Sequence, residues 1–306
     1  MQFSTLQPLP TWRKIALSSW RASDSPTIYG WMDIDVTALQ AHLARLRKTT
    51  GARVTLTHAV GKAAATAFAA HPECNAIVSL GRLLQRRSVD VFFSVAVGDG
   101  KNLSGSKLSN VDRLTLPEIA TGLDEQVAHI RKRKDTPLQR SQSKLERFPG
   151  FTLGPIMRAT AALSFDLGMN LEPIGVPRDP FGTVIVTNVG VLGVEQGFAP
   201  LIPAGRTPAL LTLGAVREKV IAVDGRPQVR PVLTLCGTFD HRVVDGAHLG
   251  KISTTLRRLL ENPDATPNPQ ANLDPQSTPN PQANLDAQAT PNPQATLDAQ
   301  ATQHSS

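Results

Sequence analysis

The chain has 306 residues, 41% of them hydrophobic, which is enough to bury one large core or two smaller ones. Its net charge of +7 is uneven: the residues before Asn262 include 32 basic and 21 acidic side chains, and the rest includes four acidic ones and no Lys or Arg. The basic part favours an anionic partner, but it has no recognisable nucleic-acid-binding module, so we do not expect nucleic acid as the partner.

The cysteines and the N-terminus indicate the compartment. Cys74 and Cys236 are far apart and lack the spacing of metal ligands, which argues against a disulfide framework and a zinc site and favours a reducing environment. Cys236 lies within an apolar run, so we interpret it as a core cysteine rather than a reactive thiol. The sequence shows neither a signal peptide nor an apolar run near the roughly 18 residues of a membrane span, so we expect a cytoplasmic protein.

Helices and strands alternate in the first half of the chain. The apolar periodicity predicts a short helix at residues 11–22, a strand at 27–36, helices at 39–48 and 54–70, a strand at 89–98 and a helix from Leu116. His58, in the third of these helices, is predicted to be a core or helix-surface histidine. The helix from Leu116 runs into four cations at 131–134, which either bind a phosphate or an acidic partner, or form a solvated helix end stabilised by the helix dipole.

The second half is predicted to be richer in strands. A helix at 151–163 lies in a long connection, and strands follow at 183–189, 209–216, 219–223 and 232–239. Asp224-Gly225-Arg226-Pro227 is predicted to be a hairpin turn. Glycines follow the first of these strands at 190, 193 and 197, but they do not have the spacing of a dinucleotide-binding loop.

The stretch with the clearest chemical meaning begins where the strand at 232–239 ends. It reads Asp-His-Arg-Val-Val-Asp-Gly from 240 to 246, and an amphipathic helix follows that ends near Pro263. Asp245 is placed to cap this helix. A histidine at a strand end, with a proton affinity near neutral pH, suits a general base, and His241 has this position. The alternative is a capped turn whose histidine only satisfies backbone groups.

The composition changes after the last predicted helix. A unit beginning Thr-Pro-Asn-Pro-Gln recurs at 266, 278 and 290 with a period of 12. Its few apolar residues cannot form a core, so we predict a disordered tail rich in Pro, Asn and Gln.

Three blocks, at 182–190, 208–214 and 240–246, together resemble the catalytic domain of the acyltransferase subunit of 2-oxo acid dehydrogenase complexes, within the chloramphenicol acetyltransferase-like superfamily. Shorter matches occur upstream, at 13–16, 72–76 and 110–120. The resemblance implies an α/β fold, a chloramphenicol acetyltransferase-like two-layer sandwich with a mixed β-sheet covered by helices. It divides the chain into an N-terminal extension (1–10), the acyltransferase domain (11–263, with an insert at about 135–180) and the tail (264–306). No lipoyl domain or peripheral-subunit-binding domain is recognisable.

The resemblance also assigns roles at the site. It implies that His241 is the general base and that the Thr187 hydroxyl stabilises the oxyanion of the tetrahedral intermediate. Asp245 would support the loop through backbone amides or through an arginine, either Arg13 or Arg242. In this interpretation Asp240 and Gly246 are structural.

The resemblance implies an acyl-coenzyme A substrate, a lipoyl group carried by another chain, no tightly bound cofactor and no metal. It further implies a homotrimer whose active sites lie between subunits. One segment, 101–108, departs from the family pattern where the channel for thiol substrates is usually walled, which leaves the acceptor open. The alternatives are a stand-alone acyltransferase for a small alcohol or amine and a non-catalytic trimeric scaffold.

Overall fold

The computed structural model describes residues 26–97, 102–133 and 149–264. The predicted helix at 11–22, with Arg13, and almost all of the predicted tail lie outside these ranges. The strands are β1 (Thr27–Asp35), β2 (Ala76–Ser79), β3 (Arg82–Gln85), β4 (Val91–Val97), β5 (Asn102–Leu108), β6 (Val184–Asn188), β7 (Ala209–Leu213), β8 (Arg217–Val223) and β9 (Arg226–Asp240). The helices are α1 (Thr37–Thr50), α2 (Leu56–Ala70), α3 (Leu116–Arg133), α4 (Gly150–Ala161) and α5 (Gly246–Glu261).

The central sheet is mixed, as the family resemblance implies. Its strand order is β1-β9-β7-β6-β4-β5, and β8 also pairs with β9. The neighbours β4, β6 and β7 run parallel, and the other pairs are antiparallel. β9 is the longest strand: its first half pairs with β8 and its second half with β1. The strands β2 and β3 form a separate hairpin.

Small side chains allow α2 to lie close to one face of the sheet. The helix is rich in alanine, and its inward residues are fully or almost fully buried. At Gly61 an added Cβ atom would lie 2.3 Å from the ring of Phe93 on β4, so only glycine fits this contact. The resulting core contains Phe68, Phe93 and the apolar residues of α5, and α5 packs against α2. This is the helical layer of the predicted two-layer sandwich.

The other face of the sheet is covered mainly by loops. Phe92, Ile185 and Leu210 form a second apolar cluster with Phe181, and residues 199–202 pack against it. Side chains alternate between the two faces of a strand, so the residues next to Ile185 and Leu210 in steps of two lie on this loop-covered face.

The predicted insert contains α4, followed by a π-helical turn at Ala162–Asp166, close to the helix predicted at 151–163. Two bidentate ion pairs connect it to the rest of the domain. Arg206 donates to both carboxylate oxygens of Asp166 at 2.5 and 2.8 Å, and Arg86 donates to those of Asp179 at 2.7 and 2.9 Å. The insert is therefore packed onto the domain in a defined position.

Two other segments clarify the sequence predictions. Residues 102–108, within the segment that departs from the family pattern, form β5 at the edge of the sheet. The hairpin turn consists of Asp224 and Gly225 alone, both with positive φ, because Arg226 and Pro227 already belong to β9. In the described part of the chain, no helix is both long enough and apolar enough to cross a bilayer.

Candidate active site

His241 follows the last residue of β9 and is solvent-exposed. Its backbone N–H donates to the carbonyl oxygen of Pro26, just before β1, at 2.7 Å. The backbone of the histidine is therefore fixed by the strand that precedes it and by the neighbouring strand, while its ring reaches solvent. This is the strand-end presentation that the sequence predicts.

The ring of His241 is oriented by Val244. Its Nδ1 atom lies 3.2 Å from the carbonyl oxygen of Val244, and a carbonyl oxygen can only accept, so Nδ1 carries the hydrogen. In the neutral ring Nε2 then has the lone pair. Nε2 has no hydrogen-bond partner within the described ranges, which leaves it able to accept a proton from a bound substrate.

Asp245 caps α5, as predicted. Its carboxylate accepts a hydrogen bond from the backbone N–H of His248 at 2.8 Å, in a capping box. This bond lowers the pKa of Asp245, and the positive charges of His248 and His241 lower it further. The resemblance implies that Asp245 supports the loop through backbone amides or through an arginine. Within the described residues it does so through a backbone amide, that of His248.

The partner of Arg242 is Asp240, so the expectation that Arg242 supports Asp245 is wrong. The guanidinium donates from Nε and Nη2 to the two oxygens of Asp240 at 2.9 and 2.7 Å. Asp240 is 8% exposed, and its negative charge needs this partner. The pair raises the pKa of Arg242 and closes the turn around His241. Asp240 is structural, as predicted, and Arg13 lies outside the described residues.

Thr187 lies near the end of β6, on the loop-covered face of the sheet. It is opposite Thr212 on β7, which is opposite Cys236 on β9. Thr187 is partly buried, and its hydroxyl has no hydrogen-bond partner among the described residues. A hydroxyl on a β-branched side chain at a strand end is well restrained and free to donate to a ligand.

After Thr187, the backbone at Val189 and Gly190 lies very close to the backbone at Leu213 and Gly214. Val189 donates to the carbonyl oxygen of Leu213 at 3.0 Å, so the chain stays alongside β7 after β6 has ended. An added Cβ atom at Gly190 would lie 2.5 Å from the carbonyl oxygen of Gly214, which makes glycine necessary there. The glycine after the Thr-Asn-Val sequence therefore fixes the path of the loop next to Thr187.

Within one chain, Thr187 and His241 are not brought together. Thr187 lies two strands from Cys236 in register, and His241 is five residues beyond Cys236. At about 3.3 Å per residue and about 4.8 Å per strand, the two positions are roughly 15–20 Å apart. One carbonyl group cannot contact both residues of the same chain.

Two other singled-out residues have structural roles. Cys236 is 1% exposed and free, and burial raises the pKa of its thiol, which fits a core cysteine. His58 accepts at Nδ1 from the backbone N–H of Thr55 in a capping box and packs edge-to-face on Phe93. Burial lowers the pKa of His58. Sequence analysis missed the carbonyl of Val244 as the partner of His241, because a backbone contact leaves no residue signature.

The comparison with protein families decides the family. The model of the 2-oxoacid dehydrogenases acyltransferase (catalytic domain) matches residues 3–145 and 181–266, well over half of the chain. The chain belongs to this family. The match omits residues 146–180, which form most of the insert with α4 and its two ion pairs.

Curated relatives of this acyltransferase-family chain come from several complexes. It is 25% identical over 265 residues to the Bacillus subtilis dihydrolipoyllysine-residue acetyltransferase component of the acetoin cleaving system, covering 84% of this chain and 56% of the relative. It is 26% identical over 214 residues to an Arabidopsis thaliana chloroplastic acetyltransferase component of the pyruvate dehydrogenase complex, covering 69% and 36%. The Haemophilus influenzae succinyltransferase component of the 2-oxoglutarate dehydrogenase complex is 25% identical over 226 residues, with 71% and 45% covered. The chain spans about half or less of the length of these relatives.

Solved structures show that the chain has the fold of the acyltransferase cores. A probable dihydrolipoamide acetyltransferase from Listeria monocytogenes matches with a TM-score of 0.61 and 18% identity, covering 85% of this chain and 96% of that one. The cubic core of a pyruvate dehydrogenase multienzyme complex matches with a TM-score of 0.61 and 19% identity, covering 89% and 95%. The Azotobacter vinelandii dihydrolipoamide acetyltransferase, studied for the roles of a serine, a histidine and an asparagine in catalysis, matches with a TM-score of 0.60 and 19% identity, covering 89% and 95%.

Proposed function

We propose that this protein transfers an acyl group between a coenzyme A thioester and a thiol such as a dihydrolipoyl group. The observation that carries the proposal is the exposed ring of His241: the Val244 carbonyl fixes its Nδ1, and its Nε2 has no hydrogen-bond partner among the described residues. The relatives named as acetyl- and succinyltransferases support acyl transfer as the reaction class.

In the proposed reaction, one proton passes from the acceptor thiol to His241 and then to the leaving coenzyme A thiolate. Nε2 of His241 takes the proton of the acceptor thiol, and the thiolate attacks the carbonyl carbon of the acyl-coenzyme A. The oxyanion of the tetrahedral intermediate accepts a hydrogen bond from the Thr187 hydroxyl. The carbon–sulfur bond to coenzyme A then breaks, and the imidazolium returns its proton to the leaving thiolate. Asp245 holds the start of α5 and adds negative charge near the imidazolium.

We further propose that each site is formed between two copies of the chain in a homotrimer. His241 and Thr187 are too far apart in one chain to act on the same carbonyl, so a neighbouring copy must supply one of them. No bound cofactor or metal takes part in this proposed reaction. The lipoyl group would be presented in trans by another chain, and the two free, buried cysteines support a cytoplasmic location.

A second candidate is a small alcohol or amine as the acceptor. It is favoured by the insert, which the family model omits and which Arg86, Arg206 and Lys107 connect to the domain. Lys107 belongs to β5, so both departures from the family pattern contact each other. In this alternative the same base and oxyanion donor act on a different nucleophile.

The test is acyl transfer from acetyl-, propionyl- and succinyl-coenzyme A to dihydrolipoamide. Free coenzyme A should be measured by liquid chromatography, because total thiol does not change in this reaction. We expect turnover in the wild type and in His42→Ala, and its loss in His241→Ala, since His42 lies on α1 and pairs with Asp264. Coenzyme A binding without turnover would favour the alcohol or amine acceptor. Absence of both binding and turnover would contradict acyl transfer and leave a non-catalytic scaffold.

A further inference from the structure

A group of potential metal ligands lies where α5 begins, outside the proposed acyl-transfer residues. Glu73 and Cys74 belong to the short 3-10 helix Pro72–Cys74 after α2, and His248 lies in the first turn of α5. One ligand atom from each of these three residues lies within 4.8 Å of the other two. We call these three residues the Glu73 cluster. It combines one thiol, one imidazole and one carboxylate.

The spacing within the Glu73 cluster suits a tetrahedral ion. Nε2 of His248 lies 3.7 Å from Oε1 of Glu73. Ligands at about 2.0–2.3 Å from a tetrahedral zinc ion are roughly 3.3–3.8 Å apart, so these two atoms are already at the separation that zinc requires. Cys74 supplies the third ligand atom, within 4.8 Å of one ligand atom of each of the other two residues.

Asp245 orients His248 as a carboxylate orients a metal-bound histidine. Nδ1 of His248 lies 2.9 Å from Oδ1 of Asp245 and 3.5 Å from the backbone nitrogen of Asp245; in the shorter of these contacts Nδ1 carries the hydrogen, since a carboxylate only accepts. Nε2 then has the lone pair, 3.7 Å from Oε1 of Glu73. An outer carboxylate that fixes the histidine tautomer is a regular feature of zinc sites.

His71 lies beside Glu73, next to the proposed ligands. It is 7% exposed, its Nδ1 lies 3.6 Å from the same Oε1 atom of Glu73, and its Nε2 has no hydrogen-bond partner within the described ranges. Buried polar atoms are seldom left unpaired in folded proteins.

The local charges also suit a cation. Glu73 and Asp245 each contribute a negative charge, and Lys251 is the nearby positive charge that acts on Cys74. Binding of a divalent ion would displace the thiol proton of Cys74, which leaves the protein as H⁺ when the sulfur–metal bond forms.

We propose that Glu73, Cys74 and His248 bind a divalent transition-metal ion, most suitably Zn²⁺. Sulfur and nitrogen ligands favour zinc over magnesium and calcium, which prefer oxygen alone. The ion would connect the turn after α2 to the start of α5, the helix that follows the His241 loop. Our expectation of no zinc site was based on cysteine spacing, which does not reveal ligands 174 positions apart, as Cys74 and His248 are.

Cobalt binding tests the sulfur ligand. Co²⁺ should be added to the reduced protein after removal of any affinity tag, and the thiolate-to-cobalt charge-transfer band in the near ultraviolet should be recorded. We expect the band in the wild type and in Cys236→Ser, the matched variant of the other buried cysteine, and its loss in Cys74→Ser. A band that persists in Cys74→Ser, or is absent from the wild type, would overturn the proposal.

Thermal unfolding with Zn²⁺ tests the remaining ligands without acyl transfer. At a Zn²⁺ concentration about 100-fold above the Kd, we expect Tm to rise by roughly 5–10 °C in the wild type and Cys236→Ser. Glu73→Gln should fold normally, because the side chain of Glu73 is 48% exposed. Both Glu73→Gln and His248→Gln should weaken Zn²⁺ binding at least about tenfold. Unchanged Zn²⁺ affinity in folded Glu73→Gln and His248→Gln would contradict the proposed site. Because activity is not measured, the outcome is independent of the acyl-transfer proposal.

Discussion

Thr187 and His241 lie at opposite ends of the same sheet, two strands and five residues apart in register. Thr187 is on β6, at the level of Cys236 on β9, and His241 follows the far end of β9. An acyltransferase that uses both residues on one carbonyl must therefore combine two chains. A site formed by two chains can be distinguished from a site formed by one chain by mixing variants.

Mixing two inactive variants should restore activity. Thr187→Ala keeps His241, and His241→Ala keeps Thr187, so a site that takes one residue from each neighbour is intact wherever the chains adjoin in the right order. In randomly mixed cyclic trimers at equal amounts, about a quarter of the sites are intact. Co-expression of the two variants in equal amounts, followed by purification of all the trimers through a tag that both variants carry and by the coenzyme A assay, measures this fraction.

The control for this experiment is the double variant Thr187→Ala/His241→Ala co-expressed with wild type. It supplies intact sites only at wild-type neighbours, also about a quarter. Mixed single variants with no activity above that of either variant alone, in assembled trimers, would show that both residues act from the same chain or that one is not needed.

The hydroxyl of Thr187 should be needed for the chemical step. Thr187→Ser keeps the hydroxyl and should retain most activity, and Thr187→Val keeps the shape and removes the hydroxyl. Loss of one oxyanion donor lowers kcat by about 10²–10³. Steady-state kinetics should show this fall in kcat with little change in KM for the acyl-coenzyme A. Equal kcat values for the valine and serine variants would exclude the proposed role.

Arg242→Gln should destabilise the protein, because it leaves the Asp240 carboxylate buried without its cation. A buried charged group that loses its hydrogen-bonding partner costs about 1–3 kcal/mol. Arg217→Gln is the matched control. The side chains of Arg242 and Arg217 are 55% and 51% exposed, but the side chain of Glu195, the partner of Arg217, is 62% exposed and that of Asp240 is 12% exposed. Exposed pairs contribute about 0–1 kcal/mol. Urea unfolding of the three proteins measures the difference, and equal losses in both variants would contradict the argument.

The ion pair of the insert should make stability depend on pH. The hydrogen bonds from Arg206 lower the pKa of Asp166 from 3.8 to about 2. The folded pKa lies below the unfolded one, so the stabilisation is present above pH 3.8 and is lost as the pH falls toward 2.

Asp166→Asn removes this dependence. Near neutral pH it should lower the free energy of unfolding by about 2 kcal/mol, because the hydrogen bonds to a charged group are lost. The gap to the wild type should stay constant from pH 7 to about 5 and narrow below pH 4. Urea unfolding at a series of pH values checks this, with Asp224→Asn in the exposed hairpin turn as the control. A gap that does not change with pH would show that the charge of Asp166 does not stabilise the insert.

Several features were determined by the sequence alone. The alternation of apolar residues in β9 and the leucine periodicity of α5 predict a strand and a helix around Asp-His-Arg-Val-Val-Asp-Gly, and the structure has both. Asp245 is followed by a helical pattern, so its role as N-cap follows from local chemistry. The three motif blocks at 182–190, 208–214 and 240–246 resemble the family, and that resemblance implies its mixed sheet.

Only the tertiary structure decided how these elements meet. It pairs Arg242 with Asp240, orients His241 through a backbone carbonyl, and separates His241 from Thr187 across the sheet. It also brings Cys74 next to His248, although the sequence predicts no metal site at either cysteine. The physical reason is that register and packing join residues far apart in the chain, and side-chain type alone does not specify which distant groups become neighbours.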